Sequence, residues 1–203
     1  MSTIQGIISA RTHRFCRGKV EDGSCVYSSF RYVNGTLKTI DNKRVSSLVA
    51  DYIRKRENLH SAVLKNGTNC NKIEKHNLCG GEPEIRALAM LSRTQIRLIS
   101  RTKNNEGKYS NSILYYGEDI KMFKECVYIL YDGENEHYEP LYVTDDSREE
   151  LTIFRCDDEI IYQLLEQFIR DELSGKKNDQ INFSNDIFQV VMKKLTKKSY
   201  QLQ

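Results

Sequence analysis

Between residues 95 and 143 the chain carries four short β-prone runs, at 95–100, 112–116, 126–131 and 137–143, with helical patterns before and after them. That order limits the fold more than any other feature. Helices, then strands, then helices point to an α/β (α+β) architecture: a small central β-sheet flanked by helices, with a helical C-terminal extension. The length of 203 residues suits one domain with a small appendage. The division expected is residues 1–150 as the main unit and 151–203 as a helical extension packed on its core.

The helices are read from apolar spacing and end signals. Residues 1 to about 20 read as a strand or arm, and a short helix over 25–33 is ended by Asn34-Gly35. In 42–56, Val45, Leu48, Val49, Tyr52 and Ile53 form one stripe, with Asp41 placed to cap the helix. Residues 58–79 show no clear period and read as a long surface loop with one short helix. Gly80-Gly81-Glu82-Pro83 opens a helix over 83–93, packed through Ile85, Leu88, Ala89 and Leu91. Residues 101–111 read as a hairpin loop, and Asp132-Gly133 as a turn. Helices are expected again over 157–173 and 185–198.

Composition excludes several classes of function. The net charge of +3 comes from mixed signs and gives no basic face for nucleic acid. No apolar run approaches the ~18 residues that span a bilayer, and the first residues do not form a signal peptide. The chain is therefore expected to be soluble, cytoplasmic and monomeric, without nucleic-acid or membrane partners. Its six cysteines read as free thiols rather than disulfides in that compartment. Cys70, His76 and Cys79 cluster, but they are three and irregularly spaced where structural zinc takes four ligands. No phosphate-binding glycine loop is present, and the reading calls for neither metal nor cofactor.

Two stretches can carry chemistry. In Asp22-Gly23-Ser24-Cys25 a tight turn runs into a helix. The first turn of a helix presents unpaired N–H groups and the positive end of the helix dipole, both of which favour a thiolate. Those N–H groups could also stabilise an oxyanion. A thiol catalyst needs a base, and of four histidines only His137 lies at a turn-to-strand junction. Residues i and i+2 of a strand point the same way, so Glu139 can lie alongside His137. The alternatives are a buried core thiol at Cys25 and a surface histidine at 137.

Three blocks in order resemble the ovarian tumour (OTU) family of cysteine proteases. They are Asp22-Gly23-Ser24-Cys25-Val26-Tyr27-Ser28, Gly80-Gly81-Glu82-Pro83-Glu84-Ile85-Arg86-Ala87-Leu88-Ala89, and His137-Tyr138-Glu139-Pro140-Leu141. The resemblance covers roughly residues 14–143. It implies an OTU-like fold and a thiol-dependent hydrolase that cuts isopeptide bonds after the C-terminal Gly-Gly of ubiquitin, through an acyl-enzyme. Its partners would be ubiquitin, polyubiquitin chains or ubiquitin-like modifiers. Cys25 would be the nucleophile, His137 the general base and acid, Glu139 its orienting acceptor, and Asp22 part of the oxyanion loop. Gly23, Ser24, Gly80, Gly81 and Tyr138 would line the substrate groove. Cys79 stands where the family usually has an aromatic residue, and Glu139 where it usually has Asp or Asn. The alternative is a silent OTU-like module that binds ubiquitin or another partner. The Asn-, Lys- and Ile-rich composition suits an AT-rich genome, including that of a virus or bacterium acting in a host cytoplasm.

Overall fold

The computed structural model describes residues 13–20, 25–35, 37, 39–75, 80–145 and 149–173. Strand β1 (Arg14–Arg17) precedes five helices: α1 (Cys25–Val33), α2 (Asn42–Arg54), α3 (Glu57–Lys65), α4 (Cys70–Glu74) and α5 (Glu82–Ser92). Then come β2 (Gln95–Lys103), β3 (Tyr109–Tyr116), β4 (Glu125–Asp132) and β5 (His137–Thr144). Two-residue strands β6 (Glu150–Leu151) and β7 (Phe154–Arg155) lead to α6 (Glu159–Phe168), which runs into a π-helical turn at Ile169–Leu173.

The strands form one mixed sheet in the order β1-β5-β4-β2-β3, with β6 on β5 and β7 on β4. β2 and β4 are parallel, and β5 is antiparallel to both β1 and β4. The period of two along β4 explains how helices cover both faces. Val127 and Ile129 enter the core beneath α1 to α5, with Val26, Phe30, Val49, Ile53 and Leu88. Cys126, Tyr128 and Leu130 enter a second core with Phe15, Leu141, Val143 and the α6 residues Ile161, Leu164 and Phe168. The Phe15 ring meets those of Tyr128 at 5.3 Å and Phe168 at 6.1 Å, so α6 closes the second face over β1 and β4.

Local signals account for most element ends. Asp41 accepts from the Arg44 N–H at 2.7 Å and starts α2. Asp158 accepts from the N–H groups of Ile160 and Ile161 and starts α6. Several expectations are corrected. Residues 58–79 are not mainly loop: α3 and α4 occupy most of the described part, and Asn69 caps α4 through the Lys72 N–H at 3.0 Å. α3 escapes notice because Val63 is its one buried residue, so no apolar stripe marks it. The hairpin loop of 101–111 shrinks to 104–108, because the β2–β3 ladder runs through polar pairs as far as Lys103 and Tyr109. Leu91 is 40% exposed and does not join the packing face of α5, whereas Glu84 is buried there. The helix expected over 185–198 lies outside the described residues.

Candidate active site

Helix α1 begins at Cys25, and strand β5 begins at His137. Two contacts fix how these elements lie together. Ser29 Oγ donates to the Tyr138 carbonyl oxygen at 2.9 Å, in the buried interior. Three residues further along α1, the Tyr32 ring packs on Tyr142 of β5, with centroids 6.0 Å apart. α1 therefore runs in the same direction as β5. Cys25 lies one turn before Ser29 on the same helix face, roughly 6 Å back along the axis. That places Cys25, fully buried in the core under α1, toward the end of β5 at which His137 stands. Cys25 is also among the charges that hold the Tyr138 phenol above its ordinary range, after burial and the neighbouring Tyr131 and Tyr116.

A second pair of contacts frames Cys25 from the other side. Gly80 sits in the left-handed region at φ +75°, and a Cβ there would meet Val26 Cγ1 at 2.5 Å. The residue after Cys25 thus presses against the Gly-Gly turn, and only glycine satisfies both the dihedral and the space. The Tyr138 hydroxyl approaches the Gly80 carbonyl oxygen at 3.5 Å. Gly81 N–H donates to the Glu84 carboxylate at 2.9 Å, which anchors the turn to the first turn of α5. The buried, acidic Glu84 also lies near Tyr27, whose phenol is pushed up mainly by burial and secondarily by that carboxylate.

The strand mouth is itself well tied. His137 pairs with Asp132 across β4 and β5, and Tyr138 with Tyr131. Asp132 accepts from Glu134 N–H at 3.2 Å and from Asn135 Nδ2 at 2.9 Å, closing the turn. Gly133 N–H donates to the Arg101 carbonyl at 2.8 Å, and Glu134 receives Lys103 at 2.8 Å and the Tyr109 hydroxyl at 2.6 Å. The turn before His137 is therefore fastened to the β2–β3 hairpin. Glu136, just before the histidine, has φ +49°.

Glu139 shares its strand face with His137, and Tyr138 faces the other way into the α1 core. The Glu139 carboxylate is ion-paired with Arg17 of β1. β1 reaches this position because Arg17 lies opposite Leu141 in the β1–β5 ladder and Gly18 N–H donates to the Pro140 carbonyl at 2.8 Å. Tyr138 is buried, its ring 4.8 Å from that of Tyr131. Asp22, Gly23 and Ser24 lie outside the described residues, as do His76 and Cys79. Among the described residues no cluster of His, Cys, Asp and Glu could hold a metal ion, and no helix is long and apolar enough to cross a membrane.

Two residues of this site were not singled out by sequence reading. Ser29 could have been found, since it stands four residues after Cys25 on a predicted helix. Arg17 lies in the stretch expected as a strand or arm, and its partner depends on strand register.

The sequence pattern of the OTU-like cysteine proteases matches residues 20–138. The ubiquitin thioesterase OTU1 of Dictyostelium discoideum is 28% identical over 173 residues, which is 81% of this chain and 50% of that protein. The chain thus spans about half the length of that relative. A solved OTU domain in complex with ubiquitin superposes with a TM-score of 0.56 at 19% identity, covering 83% of this chain and 99% of that one. An OTU deubiquitinase from Wolbachia pipientis wMel bound to ubiquitin gives 0.51 at 19% identity, covering 67% of this chain and 99% of that one. These likenesses identify the fold.

Proposed function

The chain belongs to the OTU-like cysteine proteases, and from that membership we propose that it is a deubiquitinating enzyme. It hydrolyses isopeptide bonds after the C-terminal Gly-Gly of ubiquitin, with Cys25 as nucleophile and His137 as base and acid. The observation that carries the reading is the α1–β5 junction, where Ser29 binds the Tyr138 carbonyl and the start of the helix meets the start of the strand. The names of the Dictyostelium relative and of the ubiquitin-bound OTU structures supply the substrate class.

The chemistry follows from these positions. The Cys25 thiolate attacks the carbonyl carbon of the terminal ubiquitin glycine. The oxyanion is met by N–H groups at the start of α1, and Asp22 is assigned to the oxyanion loop. His137 protonates the leaving lysine amine and then takes a proton from the water that hydrolyses the thioester. Glu139, on the same strand face, orients the imidazole, and Arg17 holds Glu139 in place. A Gly-Gly tail has no side chains, so it threads a groove that larger residues cannot follow. Gly80, Gly81 and the Tyr138 hydroxyl line that groove, and Gly23 and Ser24 are assigned to substrate binding with them. No cofactor takes part in this sequence of steps, and the reaction is assigned to the cytoplasm.

The test is hydrolysis of ubiquitin amide-linked to a fluorophore. The protein as it stands cleaves it; Cys25→Ala and His137→Ala lose cleavage while circular dichroism stays unchanged. Undiminished turnover in Cys25→Ala overturns the assignment.

A further inference from the structure

On the sheet face away from Cys25, two thiols meet beside a buried cation. Cys126 belongs to β4 and packs in the core under α6. Cys156 follows β7 and is half-buried. Glu125 pairs with Arg155 and Cys126 with Phe154, and the Cys156 N–H donates to the Lys124 carbonyl at 2.9 Å. Cys156 is therefore the diagonal neighbour of Cys126 on the same face of this ladder. Each sulfur reaches the backbone of the other segment: Cys126 Sγ lies 3.9 Å from the Arg155 carbonyl oxygen, and Cys156 Sγ 3.7 Å from that of Phe123. Cys156 packs against the core cluster that contains Cys126.

The cation is Arg97. It is 3% exposed, donates to the Tyr128 hydroxyl and to the Cys156 carbonyl, both at 2.6 Å, and lies over the Tyr162 ring at 4.8 Å. Its Nε is buried without a hydrogen-bond partner, and among the described residues no carboxylate comes within ion-pair distance. A buried charge needs an anion or a full set of acceptors. Its bond to the Cys156 carbonyl sets this cation beside the two thiols.

We infer that Cys126 and Cys156 form a peroxide-reactive dithiol site, distinct from the proposed catalytic centre, that closes reversibly to a disulfide. Cys156 reacts first. It is the more exposed sulfur, and its thiol is held below the usual range by the hydrogen bond from Cys126 and by Arg97, against the opposing effect of burial. The Cys156 thiolate attacks one oxygen of hydrogen peroxide, the O–O bond breaks, and with one proton taken up the products are the Cys156 sulfenic acid and water. The Cys126 sulfur then attacks the Cys156 sulfur, the S–O bond breaks, and the hydroxide leaves as water with the Cys126 proton. Two thiols and one peroxide give one disulfide and two waters. The bond joins β4 to the segment that leads into α6. Cys126 serves as resolving thiol, since its neighbour Cys156 and then burial hold its own thiol above the usual range.

The experiment uses the full chain carrying Cys25→Ser, so that the proposed nucleophile does not compete. The protein is treated with hydrogen peroxide, remaining thiols are alkylated, and the chain is digested without reductant and mapped by mass spectrometry. The expected result is a Cys126–Cys156 linked peptide pair as the major disulfide, lost on treatment with a thiol reductant. Adding Cys126→Ala leaves Cys156 as a sulfenic acid that a 1,3-dione captures; adding Cys156→Ser abolishes both products. If either added variant fails to fold by circular dichroism, the mapping of the Cys25→Ser chain decides alone. Full alkylation of Cys126 and Cys156 after peroxide, or linkage of Cys156 to another cysteine, overturns the inference.

Discussion

Ser29 Oγ donates to the backbone carbonyl of Tyr138 at 2.9 Å, and through that bond the helix that begins at Cys25 is held to the strand that begins at His137. Both partners are buried, so the carbonyl has no water to replace the hydroxyl. Ser29→Ala is expected to cost about 1–3 kcal/mol, the penalty of a buried acceptor left alone. If helix and strand then separate by as little as about 1 Å, kcat falls by up to about a hundredfold. Urea unfolding together with steady-state kinetics checks this, and a loss confined to KM would count against it.

Gly80→Ala tests the close approach on the other side of Cys25. The left-handed dihedral costs a residue with a Cβ about 1–2 kcal/mol, and the contact with Val26 adds overpacking of about 1–3 kcal/mol. In the double variant with Val26→Ala the steric part is relieved and the dihedral part remains. A double-mutant cycle on unfolding free energy should therefore show positive coupling. Strict additivity would mean that the two residues do not touch.

Arg17 and Glu139 make a partly exposed ion pair, which contributes at most about 1 kcal/mol to stability. Arg17→Ala should thus barely move Tm. Glu139→Ala should also leave the fold intact, yet lower kcat by about ten- to a hundredfold by freeing the imidazole. Arg17→Ala should lower kcat less, because the carboxylate remains but is less fixed. Equal activity of Glu139→Ala and the unaltered protein would remove Glu139 from the account.

Alkaline pH should unfold the protein through its core tyrosines. Burial raises the phenols of Tyr116 and Tyr162 to about 12, and those of Tyr27, Tyr128 and Tyr138 further. In the unfolded chain these groups ionise near the ordinary value of about 10. A raised folded value means that the unfolded state releases protons first as pH climbs. The stability contributed is complete below about pH 10 and is lost progressively above it. Tyrosinate absorbance should appear together with loss of the circular dichroism signal. Ionisation well before unfolding would show that the rings are accessible.

The parts of this molecule legible in its sequence are those that local chemistry decides. Asp41 caps α2 and Pro83 lies in the first turn of α5, as their residue types require. The Asp132-Gly133 signal ends β4 where the hairpin turns. Cys25 at a helix start and His137 at a strand start were readable from turn signals and motif order. What sequence could not show depends on register and burial. α3 has one buried residue, and its polar faces carry no period. The β2–β3 ladder continues through Arg101–Asn111 and Thr102–Ser110, pairs that hydropathy alone assigns to a loop. The Arg17–Glu139 pair exists because β1 enters the sheet beside β5, a neighbour 120-odd residues away in the chain. The opposition of Gly80 to Val26 likewise arises only once α1 and α5 share a core.

The central claim is that Cys25 is a nucleophile aimed at the carboxyl end of ubiquitin. It is tested most directly by incubating the protein with ubiquitin whose C-terminus carries a thiol-reactive electrophile, then mapping the adduct by mass spectrometry. The account predicts one ubiquitin per chain, attached at Cys25, and no adduct in Cys25→Ala. Ubiquitin bound without a covalent bond, or attached at Cys16, Cys70, Cys79, Cys126 or Cys156, would contradict it.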